Sequence, residues 1–207
     1  MILQKVLKGI AGITDTDAQD IFAGAGITCN WWRNADEGEL PVNEIPDRLN
    51  EYNLFRHLND YPVFGSETPF ISTTAGGVER DAANAINLRF SAFITALGFA
   101  TNHFTTSGAI FYGYVNVLGK KSIKMEEFAE ETRELNIWHD FQPYHREGEI
   151  VAKIAIPPAH LEKAEIFDGP TALRALLAHQ IPLGLRVSNP RYVPPTEICN
   201  IRDVIDL

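Results

Sequence analysis

Glu147-Gly148-Glu149-Ile150-Val151-Ala152-Lys153-Ile154-Ala155-Ile156 is the stretch that decides how this chain reads. Its β-branched, apolar run predicts one strand from Glu147 to Ile156. Pro157-Pro158 stops it, because proline cannot donate to a ladder. Residues i and i+2 of a strand share a face, so Glu147 and Glu149 project side by side from the start of a largely buried strand. Like charges that close repel, and packing alone rarely places them there. Two carboxylates against apolar walls make a candidate catalytic site.

Working outward, Pro69 to Thr74 reads as a short strand, halted at Gly76-Gly77. From Glu79 to about Gly98 the chain is alanine-rich and periodic (Ala82, Ala85, Ile86, Phe90, Phe93, Ile94, Leu97), which predicts a helix. Ala109 to Leu118 is a strand, and Lys124 to Glu134 is a charged surface helix or turn. Ala164 to Phe167 is a shorter strand, Thr171 to His179 a helix, and Leu183 to Val187 a last strand. Before these, Ile27 to Arg33 reads as a strand ended by the polar residues 34–38, and Glu44-Ile45-Pro46-Asp47 begins a short helix with Pro46 in its first turn.

Residues 1–26 read as a weak helical hairpin. Leu3, Val6, Leu7 and Ile10 stand at helical spacing, and Asp15 or Thr16 caps a second helix through Phe22, broken at Gly24-Ala25-Gly26. Strands and helices mix without a regular βαβ rhythm, which favours an α+β fold over a doubly wound sheet.

The 207 residues fit one domain, with 1–26 as an N-terminal helical extension, 27–167 as the core and 168–207 as a C-terminal extension. Hydrophobic content of 45% and charged content of 22% are ordinary for a globular protein. The net charge of −9 argues against an extended nucleic-acid surface, though not against a compact basic pocket. Cys29 and Cys199 are too few for a disulfide scaffold and fit no metal spacing. They read as buried thiols or, in a secreted protein, as one long-range disulfide. No run approaches the ~18 apolar residues of a membrane span. The first residues lack a signal-like apolar region with a small-residue cleavage site, and the compartment stays open.

A nucleophile elbow, a zincin motif and a Walker loop are all missing. Gly24-Ala25-Gly26 precedes a strand instead of following one, so it is no dinucleotide fingerprint. Four segments remain. Trp31-Trp32-Arg33 sets a planar, permanently charged fork suited to phosphate at the end of an aromatic strand. Ser72-Thr73-Thr74 offers hydroxyls that orient a carboxylate or hold strands together. His57 follows Asn53-Leu54-Phe55-Arg56, and the acidic pair follows an aromatic loop with Trp138, Phe141 and Tyr144. Taken singly, each has an ordinary reading: a surface arginine, a strand tie, a structural histidine, a solvated acidic turn.

Taken in order, they resemble the cholera-toxin and heat-labile-enterotoxin group of mono-ADP-ribosyltransferases. The matching order is a strand-end arginine, Asn-Leu-aromatic-x-His, aromatic-x-Ser-Thr-Thr and Glu-x-Glu. Tyr112-Gly113-Tyr114 resembles the group's Tyr-x-Tyr strand, and Ile150 to Pro157 its apolar strand closing in Ile-Pro. The likeness spans about residues 27–167. Thr74 stands where the group often carries Ser. Arg56 is a rival for the arginine, set aside because it lies too near Ser72 to leave room for the intervening helix.

The resemblance implies two small antiparallel sheets split around an NAD+ cleft, with flanking helices. It implies cleavage of the nicotinamide–ribose bond through an oxocarbenium-like state and transfer of ADP-ribose to a protein acceptor. Glu149 would hold the ribose 2′-hydroxyl and stabilise the cation, and Glu147 would orient or deprotonate the acceptor. Ser72 would position Glu149, with Thr73 supporting the pocket. Arg33, flanked by Trp32, would bind the phosphates. His57 would bond the adenine-side ribose or brace the arginine, and Tyr144 would contact the acceptor. Glu at the first acidic position implies an arginine target. NAD+ serves as substrate and no metal is expected. The sequence displays no delivery domain, so a toxin or effector role follows only from the group's habit. An NAD+ glycohydrolase on the same fold, a non-catalytic binding module, and an unrelated α+β domain with an accidental acidic pair are the alternatives. In the last of these, Arg33, Ser72 and Glu149 would lie far apart.

Overall fold

The computed structural model describes residues 2–35, 40–75, 85–117 and 149–196. The expected turn at Gly76-Gly77, the segment Lys124 to Glu134, and Trp138, Phe141, Tyr144, Glu147 and Cys199 lie outside them.

The chain opens with a strand, β1 (Ile2–Ala11), followed by helix α1 (Asp15–Ala23). Thr14 caps α1 with a reciprocal capping box to Asp17. The helical reading of residues 2–11 is thereby corrected. Apolar residues at 3, 6, 7 and 10 satisfy helical spacing, but here they serve both faces of a central strand. A two-residue strand β2 (Ile27–Thr28) leads into helix α2 (Asn30–Arg33), so the expected strand from Ile27 to Arg33 ends after its second residue. Cys29 turns extended and its Sγ accepts the Trp32 N–H, which starts the helix and places Arg33 in its last turn.

Helices α3 (Ile45–Arg48), α4 (Glu51–Asn59) and α5 (Tyr61–Phe64) follow. Pro46 sits in the first turn of α3, as expected. Leu54-Phe55-Arg56, which looks strand-like, lies inside α4, capped by Asn50. Then come β3 (Phe70–Thr74), α6 (Ala85–Ala100), β4 (Ser107–Val117), β5 (Glu149–Lys153), β6 (Ala155–Ile156), β7 (Leu161–Asp168), α7 (Gly169–Leu177) and β8 (Leu185–Ser188). The expected strand from Glu147 to Ile156 is divided at Ile154, whose φ of 65° is unusual for a β-branched residue. Its N–H still bonds Pro69 O, and its carbonyl accepts Cys29 N–H, so the kink hands the chain from one sheet to the other.

The fold is α+β, with two antiparallel sheets of unequal size among the described residues. Six strands run in the order β5-β3-β1-β4-β7-β8, and β2 pairs β6 in the second sheet. Joins within the large sheet differ in extent. β1 pairs β4 over ten residues, from Ile2↔Val117 to Ala11↔Gly108. β3 pairs β5 over five, from Phe70↔Lys153 to Thr74↔Glu149. Between β1 and β3 the register among the described residues is the pair Leu7↔Thr74.

Three apolar clusters support this frame. One face of the sheet, with Val6, Phe111, Ile150 and Ala152, packs on Phe22 of α1 and on Trp31 and Ile156. On the other face, Leu7, Ile110 and Phe167 meet Ala96, Leu97 and Ala100 of α6 and Ala172 of α7. There too, Phe70 and Val151 meet Leu54 and Leu58 of α4. Burying one such side chain contributes about 1.5–3 kcal/mol. Gly9 lets α6 approach closely, since any side chain there would run into the Ala96 carbonyl.

Candidate active site

Where β1 and β3 part, the sheet leaves a cleft. Its floor is β1, β3 and the start of β5. Its walls are α4 and α5 on one side and α6 on the other. A cavity of about 140 Å³ there is lined by Lys8, His57, Tyr61, Ser72, Phe99 and Glu149, among others. A second cavity of about 260 Å³ shares Lys8, His57, Tyr61, Ser72 and Phe99, and continues through the parting to Thr28, Asn30 and Arg33. The two cavities, which share five of these side chains, together touch a guanidinium, an ammonium, a serine hydroxyl, an imidazole and a carboxylate.

Each group is held by local structure. Glu149 opens β5 opposite Thr74, which puts its carboxylate on the face that carries Ser72. It is buried to 8% exposure. His57 comes from α4, with Nε2 2.9 Å from Ser72 Oγ and Nδ1 2.8 Å from Thr68 Oγ1. The same Nε2 lies 3.8 Å from Glu149 Oε1. Tyr61 and Phe70 flank the imidazole with ring centroids at 5.6 and 5.7 Å. Arg33 is oriented by Asn30 Oδ1, and Asn30 in turn donates to Gly65 O at 2.6 Å and to Tyr61 OH at 3.2 Å.

Of the residues singled out in the sequence, Arg33, His57, Ser72 and Glu149 converge on this cleft. Thr73 borders it, but its hydroxyl donates to Ile150 O at 2.5 Å and ties β3 to β5. Trp32 lines neither cavity and packs against the apolar cluster around Trp31. Arg56 also lines neither, pairing with Asp60 at 3.6 Å and stacking over Phe64 at 4.2 Å.

Sequence reasoning missed Lys8, Thr68, Asn30 and the aromatic pair Tyr61 and Phe99. Lys8 is the important omission. Burial, only partly offset by Glu149 and reinforced by Arg33, pushes its ammonium down to about 8. The signal was an isolated charge in the apolar run Val6-Leu7-Lys8-Gly9-Ile10. Desolvation also pushes the Cys29 thiol up, which keeps it protonated and inert; Cys29 forms no disulfide among the described residues. No group of metal-ligating side chains occurs among the described residues.

The chain matches no protein-family model and no curated protein. Among solved structures it is similar to one designated EcPltA, with a TM-score of 0.50 and 16% identity over 94% of this chain and 90% of that one. At that identity the likeness concerns the fold. A single-residue variant of the catalytic domain of the mosquitocidal toxin from Bacillus sphaericus aligns at a TM-score of 0.38 and 12% identity. It covers 96% of this chain and 62% of that domain. A likeness of that size carries no argument.

Proposed function

We propose that the chain is a mono-ADP-ribosyltransferase, which cleaves the nicotinamide–ribose bond of NAD+ and passes ADP-ribose to a protein acceptor. The observation that carries this reading is the meeting of Arg33, Lys8, Ser72, His57 and Glu149 around one cleft. The pattern of charge suits the substrate. Two cations, Arg33 and Lys8, are suited to a diphosphate, and the nearly buried Glu149 carboxylate lines the same cleft as Lys8. Tyr61 and Phe99, each nearly half exposed in the same cleft, offer ring faces to a planar base.

In this mechanism the nicotinamide leaves first and a ribosyl cation develops at C1′. The Glu149 carboxylate stabilises that charge in a site with little water, where a fixed anion acts most strongly. Ser72 and His57 orient the carboxylate. Arg33 and Lys8 anchor the diphosphate, so that binding energy from the remote end of NAD+ holds the scissile bond in place. Thr73 acts as a strand tie, and Trp32 supports the helix that presents Arg33. We assign Glu147 to the acceptor, with Tyr144 as an acceptor contact, and infer an arginine target from the acidic residue at 147.

The test is incubation with labelled NAD+ and a cell lysate, followed by mapping of the modified residue. Label on protein arginines supports the full reading. Nicotinamide release with no labelled protein replaces transfer by hydrolysis, and an absence of both refutes an NAD+-cleaving function.

A further inference from the structure

We propose that Thr68 is a positioning residue, whose hydroxyl fixes His57 in the tautomer with hydrogen on Nε2 and so turns an N–H toward Ser72 and Glu149. The role assigned to Glu149 rests on the transferase reading; the tautomer does not.

The argument is an accounting of hydrogens in a buried chain. Thr68 is 1% exposed and His57 4%, so neither can turn to solvent for a partner. Thr68 Oγ1 accepts the Phe70 N–H at 3.2 Å and lies 2.8 Å from His57 Nδ1. A hydroxyl has one hydrogen and two acceptor sites, and a neutral imidazole has one donor and one acceptor nitrogen. If Nδ1 carried the hydrogen, Thr68 would accept twice, and its own buried hydrogen would need another acceptor. Nε2 would then present a lone pair toward the Glu149 carboxylate 3.8 Å away, lone pair against anion. Ser72, 2.9 Å from Nε2, would have to give its hydrogen to the imidazole.

The other tautomer satisfies Thr68 and both ring nitrogens. Thr68 donates to Nδ1 and still accepts from Phe70. Nε2–H donates to Ser72 Oγ. The Nε2–H dipole also points its positive end toward Glu149, 3.8 Å away. No proton moves in the resting chain. Its effect is to set the positive end of an N–H dipole beside the Glu149 carboxylate, which favours one orientation of the group that is to stabilise a cation.

Nitrogen-15 NMR of imidazole-labelled protein tests this, with the His57 resonances assigned through His57→Gln. In the wild type the expected pattern is a pyrrole-type Nε2 and a pyridine-type Nδ1. Thr68→Val should shift the population toward the Nδ1–H form and lower kcat about ten-fold with little change in KM, in the manner of lost orienting partners elsewhere. Thr68→Ser should restore both. Since Thr68→Val also removes an acceptor from a buried N–H, melting temperatures of both variants accompany the kinetics. An Nδ1–H pattern in the wild type overturns the proposal, as does a Thr68→Val protein that folds with unchanged tautomer and kcat. If the wild type does not cleave NAD+, the transferase reading fails while the NMR result still decides the tautomer.

Discussion

Leu7 and Thr74 form the register pair that joins β1 to β3, and both line the candidate site, with Lys8 next along β1. Toward Lys8 the strands part, and the space there is lined from β1, β2, α2, α4, α5, β3, α6 and β5. The cleft is therefore a property of sheet geometry, with the charged residues placed along its edges.

The choice of arginine follows from placement. Arg33 lines the cleft, whereas Arg56 is held by Asp60 and the Phe64 ring. Arg33→Ala should weaken NAD+ binding by about 10- to 100-fold, the size of a lost charge-assisted contact, and Arg56→Ala by less than about two-fold. Calorimetric titration of both variants decides it, and the reverse order would assign the phosphates to α4.

Lys8 makes binding depend on pH in a stated direction. Free, its ammonium is pushed down to about 8, so it is mostly charged at pH 7 and mostly neutral at pH 9. A bound diphosphate favours the charged form and draws in a proton, so affinity should fall as pH rises through 8, by up to ~ten-fold per unit. Lys8→Arg keeps its charge over this range and should flatten the profile. A flat wild-type profile between pH 7 and 9.5 would remove Lys8 from the binding site.

Gly9 sets the distance between α6 and the floor of the cleft. Gly9→Ala drives a methyl into the Ala96 carbonyl, and overpacking of this kind costs about 1–3 kcal/mol. Thermal melts should show a loss of several degrees. A variant as stable as the wild type would mean that α6 moves freely over β1.

The acidic pair should divide the labour. Glu147→Gln should abolish labelling of protein while sparing much of the NAD+ hydrolysis, because the assigned partner of Glu147 is the acceptor. Parallel assays of nicotinamide release and protein labelling check this; equal loss of both would place Glu147 in bond cleavage.

Much of the site could be read in the chain because it lies on contiguous, strongly patterned strands. Ser72 and Glu149 sit in short β-branched, apolar runs, and β3 and β5 fall within them, although the second run is divided at Ile154. β1 could not be read in this way. A central strand buried on both faces loses its alternation, and Leu3, Val6, Leu7 and Ile10 then fit helical spacing equally well. Lys8 was hidden with it. The short helix α2 depends on a cap by Cys29, a weak signal beside the aromatic strand propensity of Trp31 and Trp32. Thr68 becomes visible only once α4 folds back over β3, because its partner is eleven residues away on another element.

The central claim is that Glu149 stabilises a ribosyl cation formed from NAD+ in this cleft. The most direct measurement is nicotinamide release under single-turnover conditions by the wild type and by Glu149→Gln, each saturated with NAD+. The account predicts release by the wild type and a rate at least about 10²-fold lower in the variant, with NAD+ still bound. Equal rates in the two proteins would contradict it.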